Sequence, residues 1–253
     1  MSKSQHEKNI EIASFVEQKQ KANEAFTVDE IEYIQQYTGA GGLASSGAAG
    51  RGLLYEYYTP HEIVKKMWGL VYKHGFVSGK ILEPSCGIGR FFKYINPEVN
   101  EVDAFEFSKD NATSYHIAKA SYPWVDITNY YFESIFYRDN KRITKENVYD
   151  LVIGNPPYGK FSGAYAGKKR EGRYFTGSTY DQYFIWAGIE LLKPGGLLAF
   201  IIPSSFLQNK GKYINFKTEV EHKAELLEAY RLPRRVFATT QVQTDIIILR
   251  KKA

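Results

Sequence analysis

The pattern of apolar and polar positions changes character along the chain. From Glu7 to Ala25, Ile12, Phe15, Val16 and Ala22 are loosely spaced among polar residues, which suits a surface helix or a frayed arm. Thr27 followed by Glu30 forms a capping box that opens a short helix, Val28 to Tyr37. Thr38 to Gly52 then carries Gly39, Gly41, Gly42, Gly47, Gly50 and Gly52 and reads as a loop or linker. After Pro60 an amphipathic helix fits His61 to His74, with Ile63, Met67, Leu70 and Val71 on one side. Beyond it, short apolar runs alternate with helical patterns. Strands are expected at Lys80 to Glu83, Val102 to Phe107, Val125 to Thr128, Tyr149 to Ile153 and Leu197 to Ile202. Helices are expected at Arg90 to Ile95, Asp110 to Ser121 and Tyr180 to Leu192. Strands separated by helices imply an α/β fold with a doubly wound, mostly parallel sheet covered on both faces. The end departs from this rule. A polar helix at Lys212 to Ala224 precedes strands at Leu227 to Leu232 and Thr244 to Leu249 that have no helix between them, so the seven-stranded sheet should close on an antiparallel C-terminal hairpin strand. The expected division is a helical and glycine-rich arm, 1–50, followed by one α/β domain, 51–253.

Composition narrows the setting. The 253 residues are 43% hydrophobic and 24% charged, which excludes a disordered or collagen-like chain and supplies enough apolar surface for a core without staples. The single cysteine, Cys86, excludes an internal disulfide and a thiol-rich zinc site, and points to a reducing, cytoplasmic compartment. Apolar runs such as Gly196 to Pro203 fall far short of the about 20 residues that a membrane span needs, and the polar start lacks a signal core. No membrane role is expected. The five histidines show no metal spacing, so no metal site is expected. The formal charge of +5 is uneven: residues 1–50 carry net −3, leaving +8 on the remainder, where an anionic partner belongs.

Two segments carry chemistry. In the first, Glu83, Pro84, Ser85, Cys86, Gly87, Ile88 and Gly89 join a strand to a helix start. Gly87 and Gly89 let the backbone pass close to a nucleotide-type cofactor, and the next helix offers free amides. The third glycine of a dinucleotide fingerprint would fall at Phe92, which disfavours pyrophosphate binding of the NAD type. Glu106, ending the following strand, can accept hydrogen bonds from both hydroxyls of a ribose. In the second segment, the strand Tyr149 to Ile153 runs through Gly154 into Asn155, Pro156, Pro157 and Tyr158. The prolines fix the backbone and contribute no amide donors, leaving an acceptor-rich rim. The Asn155 side-chain oxygen and the Pro156 carbonyl can each take one hydrogen of an exocyclic NH2 group, while Tyr158 stacks on the ring that bears it. Glu83 and Asn155 lie 72 residues apart at carboxyl ends of strands, a separation that makes the first and fourth strands neighbours across the switch point.

Tyr57, Tyr58, Thr59 and Pro60, then Glu83 to Gly89, Glu106, Asn155 to Tyr158, and Leu192, Lys193, Pro194, Gly195 and Gly196 occur in an order that resembles the S-adenosylmethionine-dependent N6-adenine DNA methyltransferases of the Asn-Pro-Pro-Tyr type, similar to mobile-element and type I modification methylases. The resemblance covers residues 52–252 and implies a Rossmann-like methyltransferase fold, S-adenosylmethionine as cofactor, DNA as substrate and a place in restriction-modification. It implies that Tyr58, Thr59 and Pro60 hold the methionine end of the cofactor, that the turn from Glu83 through Pro84, Ser85, Cys86 and Gly87 to Gly89 passes its amino acid moiety, that Glu106 binds ribose, that Phe107 packs on its adenine, and that Asn155 to Tyr158 grip a flipped-out adenine. Phe132 and Glu133 are placed at the adenine edge of the cofactor pocket.

Between Gly159 and Thr179, Lys160, Lys168, Lys169, Arg170 and Arg173 alternate with Phe161, Tyr165, Tyr174 and Phe175, a composition suited to DNA phosphates and bases. Few residues follow Leu249 where the resembled family carries a target recognition domain, so specificity is expected from this loop, from residues 1–50, or from a protein partner or separate target-recognition subunit. Competing readings are methylation of guanine N2 in RNA or of protein glutamine, and a non-catalytic cofactor-fold binding subunit.

Overall fold

The computed structural model describes residues 4–39, 58–106, 113–128, 147–159, 177–208, 213–234, 236–237 and 242–253, and the backbone of 137–138 and 141–142. Phe107, Glu133 and the loop cations Lys160, Lys168, Lys169, Arg170 and Arg173 lie outside the described residues.

Helices α1 (Gln5–Ala22), α2 (Val28–Ile34) and α3 (His61–Lys73) precede β1 (Gly79–Glu83), β2 (Asn100–Phe105), α4 (Thr113–Ser121) and β3 (Asp126–Thr128). A two-residue ladder follows, β4 (Tyr137–Arg138) with β5 (Lys141–Arg142). Then come β6 (Tyr149–Gly154), α5 (Tyr180–Leu191), β7 (Leu192–Pro203), α6 (Tyr213–Lys223), β8 (Ala224–Arg231) and β9 (Thr244–Lys251). The seven-stranded sheet has the order β3-β2-β1-β6-β7-β9-β8, parallel except for β9, which inserts antiparallel between β7 and β8. The expected first-and-fourth adjacency is present: β1 and β6 pair in parallel, Ile81 opposite Leu151 and Leu82 opposite Val152.

Strand alternation splits the core into two layers. Leu82, Val152, Leu198, Phe200 and Ile247 face α5 and α6, whereas Ile81, Leu151, Ile153, Ala199 and Ile248 face α3 and the segment after β1. Three local details differ from the sequence pattern. The buried face of α3 is Val64, Met67, Trp68, Leu70 and Val71, with Ile63 only half-buried, because the Trp68 indole donates to the Phe91 carbonyl (3.0 Å) and turns the helix toward it. The helix after the glycine turn is a single 3-10 helix, Arg90–Tyr94, rather than an α-helix. The β4-β5 ladder has no apolar signature to announce it.

The N-terminal stretch packs against the sheet domain. Ser4 and Glu7 close a capping box on α1, and Ile12 and Val16, one turn apart, are fully buried against Ile34, Tyr37, Ile88 and Ile117. Among the described residues no helix is long and apolar enough to cross a membrane.

Candidate active site

The site is built at one end of two neighbouring strands. Because β1 and β6 run in parallel and in register, the turns that leave them, 84–89 and 155–159, emerge at the same sheet edge. They touch: Ser85 Oγ donates to the Asn155 carbonyl (3.4 Å), and a Cβ on Gly154 would lie 3.6 Å from Glu83 Cγ.

Glu83 closes β1 and is 1% exposed, with Pro84 buried beside it. Its Oε2 has no hydrogen-bond partner among the described residues. Burial, and then the nearby Glu106 carboxylate, push the Glu83 carboxyl well above the usual carboxylate range. The same pair of causes, with Glu83 added, raises the buried Cys86 thiol, so this cysteine is a small filler of the turn rather than a nucleophile. Glu106 accepts from the Gly87 amide (2.7 Å) and from Ser114 Oγ (3.2 Å). These two bonds orient the carboxylate just past β2, beside the glycine turn.

The two glycines are also required by the packing of the turn itself. Gly87 (φ +55°) and Gly89 (φ +79°) both need left-handed backbone. A Cβ on Gly87 would stand 2.5 Å from Tyr58 Cε1, and one on Gly89 2.7 Å from Phe92 and 2.9 Å from Tyr122. The protein's own rings thus approach both glycines closely, and at Gly87 the ring belongs to the Tyr58-Thr59-Pro60 segment singled out in the sequence. Thr59 is buried, and Arg90, which the sequence reading did not assign, donates to the carbonyls of both Tyr58 and Thr59.

At the other turn, Pro156 is buried, while Asn155, Pro157 and Tyr158 are half-buried. The Tyr158 hydroxyl donates to Asn155 Oδ1 (2.6 Å) and lies 3.2 Å from the Ile201 carbonyl. Its ring packs on the apolar layer beneath. Burial, and secondarily the charge of Asp181, raise its phenol well above the ordinary range, so it stays a neutral donor. Asp181, itself buried, accepts from the Tyr213 hydroxyl (2.8 Å). Asp181, the single acid in the first turn of α5, was the available signal for this pair.

A buried carboxylate oxygen with no partner among the described residues, beside a second carboxylate held on the Gly87 amide, fits a ligand that carries a cation at one end and a diol further along. S-adenosylmethionine, the cofactor that the sequence resemblance implies, has both groups.

Comparison with known proteins agrees. The chain is 28% identical over 227 residues to the defense against restriction protein B of Escherichia phage P1, a match that covers 89% of this chain and 9% of that protein. It is 32% identical over 167 residues to the type II methyltransferase M.HincII of Haemophilus influenzae, covering 62% of this chain and 29% of that enzyme. The chain thus spans less than a third of either relative. The methyltransferase subunit of a Streptococcus thermophilus type I restriction-modification system shares the fold with a TM-score of 0.65 at 20% identity, over 88% of this chain and 49% of that one. Residues 88–237, more than half of the sequence and including the Asn-Pro-Pro-Tyr turn, match the Eco57I restriction-modification methylase family, and the chain belongs to that family.

Proposed function

We propose that the chain transfers a methyl group from S-adenosylmethionine to the N6 amine of an adenine turned out of a DNA duplex. The observation that carries this reading is the contact between the two turns: the Asn155–Tyr158 turn leaves β6 at the same strand ends as the glycine turn leaves β1, and Ser85 Oγ bonds the Asn155 carbonyl.

Glu83 would pair with the ammonium of the cofactor's methionine end, Glu106 would accept the ribose hydroxyls, and Tyr58, Thr59 and Pro60 would wall the methionine end. Bound S-adenosylmethionine supplies a methyl carbon already activated by its sulfonium. Asn155 Oδ1 and the Pro156 carbonyl accept the two amine hydrogens, which favours a pyramidal nitrogen with its lone pair available. The C–N bond forms as the C–S bond breaks, and the surplus proton leaves to solvent. No strong base is needed, in keeping with a rim that offers a carboxamide and a carbonyl. Tyr158 gives the base a face to stack on while its hydroxyl steadies the carboxamide. Stacking offsets part of the few kcal/mol that base extrusion costs. The cations of residues 160–173 would hold the phosphates, and a protein partner or separate subunit would read the sequence.

The test is Asn155→Ala. Tritium transfer to DNA should fall by about 10²–10³-fold, the scale of losing one preorganised polar contact to the reacting group, while calorimetry with the cofactor gives an unchanged Kd. Enzymatic digestion of the labelled product should yield N6-methyladenosine in its deoxy form. A fully active variant, or label in RNA or protein instead of DNA, overturns the reading.

A further inference from the structure

A side chain at the end of the glycine turn reaches back to the N-terminal segment. Gly89, in the left-handed conformation, ends the turn and aims Arg90 back across it. One guanidinium nitrogen of Arg90 donates to the carbonyls of Tyr58 (3.3 Å) and Thr59 (3.1 Å), and the other donates to the carbonyl of Tyr37 (3.4 Å) at the end of the N-terminal segment. The guanidinium also lies 5.9 Å from the centre of the Tyr58 ring. That ring rests on Gly87, where a side chain would collide at 2.5 Å, and is 5.9 Å from the Tyr37 ring. Arg90 does not pair with Glu83, whose Oε2 has no partner among the described residues. A second tie runs alongside: Gln35 donates to the Ile88 carbonyl (3.2 Å) and to Ser121 Oγ (2.7 Å) of α4. Behind it, Asn9 of α1 donates to the Gly39 carbonyl (2.7 Å) and Thr38 Oγ1 (3.0 Å).

We infer that Arg90 is a positioning residue for cofactor binding: it clasps Tyr37, Tyr58 and Thr59 onto the glycine turn, so that α1 and α2 form part of the cofactor site. The inference rests on the reading that Tyr58 to Pro60 and the turn enclose S-adenosylmethionine. A planar guanidinium with a fork of donors can bridge carbonyls of two separate segments, whereas the single ammonium of lysine serves one point. Burial disfavours the charge, lowering the guanidinium from its ordinary range, and the main-chain oxygens offset that cost. Since all three acceptors are backbone atoms, the clasp fixes the course of the chain rather than any one side chain.

The experiment is calorimetry of S-adenosylhomocysteine with the wild-type chain, Arg90→Met, Arg90→Lys and Gln35→Leu, alongside turnover at saturating cofactor. Arg90→Met should weaken the ligand about tenfold or more, with Arg90→Lys within threefold of it, while kcat at saturation changes less than about threefold. In wild type the ligand should slow hydrogen exchange over residues 30–38 as well as 58–60, and Gln35→Leu should remove the effect at 30–38. A Kd for folded Arg90→Met within twofold of wild type overturns the inference. Should that variant not fold, ligand protection confined to 83–89 and absent from 30–38 overturns it. A wild-type chain that binds no S-adenosylhomocysteine instead sinks the cofactor reading beneath it.

Discussion

Strands β1 and β6 carry an acidic residue at each end of their shared ladder, and the two ends treat the charge in opposite ways. At the amino end, Asp150 accepts from the Lys80 amide (2.8 Å) and takes the Lys193 ammonium on both oxygens (2.9 and 2.8 Å). Close by, Tyr149 donates to Asp103 (2.7 Å), which also pairs with the Lys80 ammonium (3.0 Å). Asp150 keeps 30% of its side chain in solvent. At the carboxyl end Glu83 is sealed from water, beside a second carboxylate, with one oxygen unpartnered. The first arrangement is a finished structural joint. The second is an unpaid desolvation cost in the folded chain, which a bound cation would relieve. Equal residue types on the same strands are thus separated into scaffold and site by how completely their hydrogen bonding is satisfied.

Exchanging the two acids' fates should give the largest effect. Glu83→Gln removes the counter-charge for the cofactor's ammonium and should weaken S-adenosylhomocysteine about a hundredfold, the lower end of the cost of truncating a buried charge pair. The same change should leave the ligand-free chain at least as stable to urea, because a desolvated carboxyl has gone. Asp150→Ala should do the reverse. It should cost about 1–2 kcal/mol of stability, discounted for partial exposure, with the ligand Kd within twofold of wild type. If the aspartate variant lost the ligand and the glutamine variant did not, the assignment of the two ends would be wrong.

A glycine at each end extends the contrast at a smaller scale. Gly79 (φ +141°) and Gly87 (φ +55°) both hold conformations that oppose a side chain, and an added Cβ would meet Asp150 Oδ2 at 2.4 Å or Tyr58 Cε1 at 2.5 Å. Each Gly→Ala change should cost about 1–3 kcal/mol in backbone strain. Only Gly87→Ala displaces the ring that backs the turn, so it alone should also weaken S-adenosylhomocysteine, by about tenfold in calorimetry. An equal loss at Gly79 would show that the affinity follows general stability and not the site.

The same contrast explains how far the sequence could be read. The adjacency of β1 and β6 and the meeting of their turns follow from apolar runs ending in Glu83-Pro84 and Asn155-Pro156, because strand alternation and proline stereochemistry act through residue type. The antiparallel β8-β9 hairpin was legible from two strands with no helix between them, whereas the placing of β9 beside β7 depends on tertiary pairing that no local pattern states. Arg90 was illegible as a clasp because its acceptors are the carbonyls of Tyr37, Tyr58 and Thr59, and a main-chain oxygen has no residue identity. The docking of α1 was illegible because Ile12 and Val16 find Ile88 and Ile117 only through tertiary packing, leaving a sparse stripe that also suits a loose arm. Tyr158 was read for its ring, while its hydroxyl bond to Asn155 depends on a rotamer that the sequence does not specify.

The smallest expected effect is a pH slope. Glu83 faces Glu106, the Cys86 thiol and the Tyr122 phenol, and the phenol is itself pushed up to about 12 chiefly by burial. Because the folded Glu83 carboxyl titrates above its unfolded value of 4.5, the native chain holds a proton that the unfolded chain has already released. Its contribution to stability is therefore complete below that value and is lost as pH rises toward the folded one. Urea midpoints of wild type minus Glu83→Gln between pH 4 and 8 should fall with rising pH, the subtraction cancelling every other titrating group common to both. Saturating S-adenosylhomocysteine should flatten that difference, since its ammonium favours the ionised carboxylate. The corresponding Asp150→Asn difference should ignore the ligand altogether, because nothing that binds at the carboxyl end reaches the joint between Lys80 and Lys193.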